Sequence, residues 1–195
     1  MGAGLGIAQG VGHVEPDTEC FAFVGDSTFF ATAITGVVNA VYNQARMTLV
    51  VLDNSTTAMT GHQPHPGTGR TMMGEVVAKV SIERVLRGIG VEVVETVDPL
   101  DHLGAVAAVR RVSAAPGVKA IIFKSPCIAL SKPVAKARVN EACIGCKKCI
   151  REVGCPAVTF AGNRAVIDES LCTGFSLCAS VCPVKAIQVS GKEAR

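Results

Sequence analysis

Short runs of β-branched and aliphatic residues alternate, over residues 1–124, with longer stretches whose apolar positions recur at helical spacing. That alternation predicts parallel β/α units. Residues 20–24, 48–52, 91–94 and 119–123 predict strands, and residues 2–12, 28–43, 75–87 and 100–113 predict helices. Three of the four strand runs are apolar at nearly every position, as strands covered on both faces are. The expected fold class is therefore α/β, a parallel sheet with helices on both faces. In such sheets ligands gather where strands end in polar loops. Two loops qualify: the short turn Gly25-Asp26-Ser27-Thr28, and residues 53–74, rich in Gly, Pro, Thr and His. A connection of the second kind, long and without structure of its own, is usually functional.

The pattern changes after residue 124. Residues 125–138 carry two Pro and no periodicity and read as a linker. Residues 139–195 hold an internal repeat: Val139-Asn140-Glu141-Ala142-Cys143 is echoed by Ile167-Asp168-Glu169-Ser170-Leu171-Cys172, and Cys155-Pro156-Ala157-Val158 by Cys182-Pro183-Val184. A segment of this length rarely holds a fold on hydrophobic burial alone, so a small α+β domain built around metal is expected.

Composition narrows the picture. Hydrophobic residues make up 49% of the 195 and charged residues 18%, which excludes a disordered chain. A net charge of +3 is too weak to point to nucleic acid, and no apolar run is long enough for a membrane span. The start of the chain lacks the basic and apolar segments of a secretory signal, so a soluble, cytoplasmic protein is expected. Of nine cysteines, seven lie between Cys143 and Cys182, and outside an oxidising compartment such clusters read as metal ligands. Cys20 and Cys127 read as packing residues.

Cys143-x2-Cys146-x2-Cys149-x5-Cys155-Pro156 nearly matches the iron–sulfur run of bacterial ferredoxins, whose fourth thiolate serves the other cluster. By that crossed pattern Cys143, Cys146, Cys149 and Cys182 would bind one [4Fe–4S] cluster. The second half places Phe175 where a thiolate belongs, leaving Cys155, Cys172 and Cys178. Three outcomes stay open there: a [3Fe–4S] cluster, a [4Fe–4S] cluster with a non-cysteine fourth ligand, or an empty site. Lys147, Lys148 and Arg151 beside the first set read as a solvated charged face.

Asp26 and Asn54 stand 28 residues apart, the length of one strand–helix–strand crossover, so both are expected at one edge of the sheet. A carboxylate, an amide oxygen and a backbone carbonyl are the hard ligands that suit Mg²⁺, with phosphates supplying the rest. Here the sequence resembles the thiamine diphosphate enzymes, whose signature is Gly-Asp-Gly followed some 25–30 residues on by Asn. More narrowly it resembles the 2-oxoacid:ferredoxin oxidoreductases, nearest to those acting on indolepyruvate. The resemblance rests on Gly25-Asp26-Ser27-Thr28-Phe29-Phe30, on the stretch from Leu52-Asp53-Asn54 through Thr60-Gly61-His62-Gln63-Pro64-His65-Pro66-Gly67, and on the C-terminal cysteine repeat.

It implies a thiamine diphosphate-binding fold, incomplete at its N-terminus, joined to a two-cluster ferredoxin-like domain. It further implies Mg²⁺ held by Asp26, Asn54 and the carbonyl of Thr56, with Gly25, Ser27, Thr28, Thr60 and Gly61 at the cofactor. His62 and Gln63 would be the catalytic contacts, ahead of His65 on the same loop. Ser27 departs from the general signature's second Gly, and Ala31 stands where the family places a His. The implied reaction is oxidative decarboxylation of indolepyruvate or another aryl pyruvate with coenzyme A to arylacetyl-CoA and CO₂. Electrons would leave through the clusters to an external ferredoxin. The implied partners are a second (β) subunit and a chain or segment carrying the pyrimidine-binding domain, in a hetero-oligomer. Two other readings remain, an electron-transfer or docking subunit and a non-oxidative thiamine-dependent decarboxylase.

Overall fold

A computed structural model describes residues 1–130 and 135–190. Residues 131–134 of the expected linker and the last five of the expected cysteine domain lie outside the described residues. The chain divides into two compact units, one of Met1–Pro99 with Leu103–Cys127 and one of Leu100–His102 with Ile128 onward.

In the first unit, four parallel strands β1 (Phe21–Gly25), β2 (Met47–Asp53), β3 (Val93–Val97) and β4 (Val118–Lys124) lie in the order β1-β2-β4-β3. The central pair bury both faces, which explains their unbroken apolar runs. One face is covered by α1 (Ala3–Val14), α3 (Ile34–Tyr42) and α4 (Ile82–Ile89), around Leu5, Phe29, Val37, Leu49, Val51, Leu86 and Ile122. The opposite face takes α5 (His102–Ser113): its Arg111 pairs with Glu95, which lies in register beside Ile121, and Ala108 and Val112 are buried. The sheet with helices on both faces is thus as expected. On that second face the edge strand leaves Phe21 and Phe23 exposed, while at its lower end the fully buried Lys119 reaches Glu19 with Nζ 2.8 Å from Oε1.

Three elements differ from expectation. The helix expected from residue 75 starts at Ile82, because Ser81 Oγ accepts a hydrogen bond from Arg84 N at 3.2 Å and caps it. Residues 69–77 instead fold back as a small hairpin, with Arg70 bridged to Val76 and Val77 N bonded to Gly69 O. The strand expected at residues 91–94 begins two residues later. Gly90 adopts φ 107° and Val91 N bonds back to Leu86 O, so Val91 still belongs to the end of α4. The helix expected over residues 28–43 begins earlier and is not uniform. It opens as α2 (Asp26–Thr28), widens into a π-helical turn over Phe29–Ala33, and resumes as α3. Such widened turns insert a residue and often stand beside functional sites.

In the second unit, β5 (Ala137–Val139) pairs antiparallel with β8 (Ile187–Val189), and β6 (Val158–Ala161) with β7 (Arg164–Ile167). Gly162 and Asn163, both at positive φ, make the tight turn that matches a hairpin's twist. Two short helices, α6 (Lys148–Val153) and α7 (Leu177–Ser180), complete the repeat. The repeat is geometric as well as sequential. Gly145 and Gly174 precede Cys146 and Phe175 at φ 68° and 73°, and Lys147 and Ser176 follow them at φ 59° and 72°. A Cβ on either glycine would come within 2.4 Å of a backbone oxygen, Asn163 O or Ala135 O. Only glycine fits both loops.

Candidate functional site

Gly25 pairs with Leu52 across the parallel strands β1 and β2, so Asp26 and Asn54 leave adjacent strands at the same carboxyl rim. Asp26 opens α2 and is buried, with Oδ1 accepting from Ser27 N at 2.8 Å. Asn54 begins the following loop, its Oδ1 accepting from Thr56 N at 3.2 Å. The two loops are tied directly, since Thr57 Oγ1 donates to Ser27 Oγ at 3.0 Å. From behind, Ser125 N and Cys127 N donate to the carbonyls of Asp53 and Asn54 at 3.0 and 2.9 Å. The start of the expected linker therefore braces this loop.

The electrostatics of the rim centre on Asp26. Burial above all holds its carboxyl above the ordinary carboxylate range; the Ser27 N–H and His65 pull it down, and Asp53 pushes it up. The carboxylate of buried Asp26 and the amide oxygen of half-buried Asn54 are hard oxygen donors, the kind that suits a divalent cation. Thr56, on the same loop, is also buried.

The loop residues divide. His62 is exposed at φ 64°, in the turn that follows Ala58–Thr60 and Gly61. Gln63 bridges back to Thr57 and bonds Thr60 with its side chain. Thr60 and Gly61 are exposed, and Thr28 Oγ1 lies 3.6 Å from Met1 Sδ. The histidine that meets Asp26 is His65: its Nε2 lies 3.1 Å from Asp26 Oδ2, with both side chains almost wholly buried. Sequence reasoning ranked His62 ahead of it. The available signal was the Pro64-His65-Pro66-Gly67 context, which pins the backbone around that ring.

The cysteines assemble in two sets. Cys143, Cys146, Cys149 and Cys182 line one cavity, with Gly145, Lys147 and Pro183 among its other walls. Backbone hydrogen bonds from Ala165 and Gly145 pull the Cys143 thiol down, whereas burial and the other three thiols of the set push Cys149 up. Burial, with Cys172 and Cys155 nearby, pushes the Cys178 thiol up to about 11. Ala137 N approaches Cys172 Sγ at 3.4 Å and Ala186 N approaches Cys182 Sγ at 3.3 Å, the kind of N–H···S bond that tunes cluster thiolates. Phe175 is partly exposed at its position in the second set. All nine cysteines are free of disulfides. Among the described residues no three His, Cys, Asp or Glu close on a single metal ion. A cubane is itself several atoms wide, so its four thiolates stand further apart than the ligands of one ion do. Among the described residues no helix is long and apolar enough to cross a membrane.

Known proteins place this architecture. The chain is 43% identical over 96% of its length to indolepyruvate oxidoreductase subunit IorA of Archaeoglobus fulgidus, and 40% identical over 98% to the IorA of Methanothermobacter marburgensis. It spans about a third of the length of these curated relatives, 31% in both cases. A solved thiamine diphosphate-dependent 4-hydroxybenzoylformate decarboxylase of Rhodococcus jostii superposes on 65% of this chain and 23% of its own, with a TM-score of 0.44 and 20% identity. Residues 1–122 match the family model described as thiamine pyrophosphate enzyme, C-terminal TPP binding domain. The chain belongs to the thiamine pyrophosphate enzymes, and its parallel α/β unit is their C-terminal cofactor-binding domain.

Proposed function

We propose that this chain carries the diphosphate–Mg²⁺ site and the electron outlet of a 2-oxoacid:ferredoxin oxidoreductase acting on indolepyruvate or another aryl pyruvate. The observation that carries the reading is the emergence of Asp26 and Asn54 from adjacent parallel strands at one rim. The names of the relatives that match nearly all of this chain point to an oxidoreductase and to a subunit within an assembly.

In this reading Asp26, Asn54 and the Thr56 carbonyl hold Mg²⁺, and Gly25, Ser27 and Thr28 bring small side chains and backbone N–H groups against the diphosphate. Thr60 and Gly61 line the cofactor, while His62 and Gln63 reach the substrate from the exposed side of the loop. Thiamine diphosphate supplies the electron sink for loss of CO₂ from a 2-oxo acid. Cys143, Cys146, Cys149 and Cys182 hold a [4Fe–4S] cluster, and Cys155, Cys172 and Cys178 a second, three-thiolate cluster. Two electrons per acyl group leave singly to an external ferredoxin as coenzyme A takes the acyl group. The remaining machinery, the β subunit and a pyrimidine-binding chain or segment, comes from the assembly.

The test uses the assembled complex. Aryl pyruvate with coenzyme A should reduce ferredoxin or a viologen, and Asp26→Ala should abolish both cofactor binding and reduction. Aldehyde release without dye reduction would mark a decarboxylase. Failure to bind the cofactor at all would leave a docking and electron-transfer subunit.

A further inference from the structure

The two halves of the cysteine repeat share a backbone and differ in charge. Residues 143–155 and 182–187 carry four basic side chains, Lys147, Lys148, Arg151 and Lys185, against one acid, Glu152. Glu152 is matched by Lys148, with Nζ 3.8 Å from Oε1. Among the described residues no carboxylate pairs with Lys147, Arg151 or Lys185. The counterpart stretch from Cys172 to Cys182 holds no basic residue, and Asp168 and Glu169 precede it. Cations near that half are already engaged: Arg138 pairs with Glu169, and Lys136 Nζ donates to the carbonyls of Glu169 and Cys172.

Exposure differs in the same direction. Cys146 is exposed, and Ile144 and Val184 on the walls of the same four-cysteine cavity are 66% and 37% exposed, whereas Cys172 and Cys178 are buried. A freely solvated charged face, the reading from sequence, would leave its side chains unattached. Here two of them are held at the Cys146 loop. Arg151 Nη2 donates to the Cys146 carbonyl at 2.9 Å, and Lys147 Nζ lies 4.3 Å from the centroid of the Phe160 ring.

We propose that the exposed Cys146 face, flanked by Lys147, Arg151 and Lys185, is where a small acidic one-electron carrier docks. A little apolar surface bordered by charge suits a brief redox encounter, which is small in area and steered by electrostatics. A carrier rich in carboxylates complements these three cations, whereas the acids ahead of Cys172 repel it from the other half. Each encounter reduces the carrier by one electron and reoxidises this unit by one. This inference rests on the electron outlet of the proposed function.

The experiment uses the complex in which this chain copurifies, with an acidic bacterial ferredoxin as the probe. Zero-length carbodiimide cross-linking joins a carrier carboxylate to a lysine amine. It should mark Lys147, Lys148 or Lys185 at low salt and fade at high salt. By titration calorimetry, Lys147→Glu combined with Lys185→Glu should bind the ferredoxin about 10-fold more weakly. The KM for ferredoxin should rise with it, while iron content and viologen reduction match the unaltered protein. Arg138→Gln, in the other half, should change none of these. Cross-links confined to other lysines overturn the proposal, whether or not the double variant folds. So do unchanged ferredoxin binding in that variant, an equal loss in Arg138→Gln, or these lysines cross-linking to another subunit before ferredoxin is added. Viologen reduction without cross-links at these lysines removes the docking face alone. Failure of aryl pyruvate and coenzyme A to reduce either acceptor removes the proposed function, and the face's role with it.

Discussion

The two units of this chain fill their centres with different materials. The α/β unit packs Phe29, Leu5, Leu49, Val51, Val37 and Leu86 between a sheet and three helices. Among the described residues, the core cluster of the second unit has nine buried members, of which three are Cys149, Cys172 and Cys178 and three more are alanines. Its strands are three or four residues long and its helices four and six. Apolar burial contributes roughly 25 cal/mol per Å², so the first unit can be stable by burial and the second has little to draw on. The difference teaches where each unit's stability resides: in side-chain packing for one and, under the proposed function, in bonds to iron and sulfide for the other.

Removing the metal should divide the molecule most sharply. Anaerobic chelation should abolish hydrogen-exchange protection across residues 137–189, because binding energy at such sites is folding energy. Protection in β1, β2 and β4 should persist. Unaltered protection in the iron-free second unit would show that its cysteine-rich core suffices by itself and would erase the contrast. The reciprocal perturbation is Phe29→Ala, which removes a fully buried ring three residues after Asp26. It should cost about 3–5 kcal/mol in denaturant unfolding of the first unit while leaving the iron content unchanged. A loss below about 1 kcal/mol would mean the sheet collapses around the gap and packs less tightly than its burial implies.

The same contrast explains what could be read from sequence. The sheet was legible because central strands covered on both faces must be apolar throughout, and a crossover between parallel strands returns both ends to one rim. The repeat was legible because cysteine spacing is local. What escaped was set by contacts between distant residues. The valines at 76, 77 and 80 look helical by spacing, but the hairpin bonds between residues 69 and 77 and the Ser81 cap decide otherwise. His62 and His65 are equivalent as letters. Only the folded loop shows one in solvent and the other against Asp26.

The smallest expected effect tests how alike the two halves of the repeat are. Around Phe175 the backbone keeps the form it has around Cys146: a glycine at positive φ before, a second positive-φ residue after, and a short helix carrying the next cysteine. The loop thus shares the backbone form of the Cys146 loop without its thiol, and the partly exposed ring can be exchanged without opening the core. Phe175→Cys should raise the iron content by about one atom per chain, as a three-thiolate cluster gains the fourth ligand of a cubane. Electron paramagnetic resonance should show an oxidised [3Fe–4S] signal disappear in the variant, and unfolding of the first unit should move by less than about 0.5 kcal/mol. An unaltered protein that already holds two cubanes would gain no iron, and would place a ligand other than cysteine at the open corner. A gain of about four atoms would instead mean that the three thiolates bind nothing by themselves, so that the two halves share a backbone and no longer a chemistry.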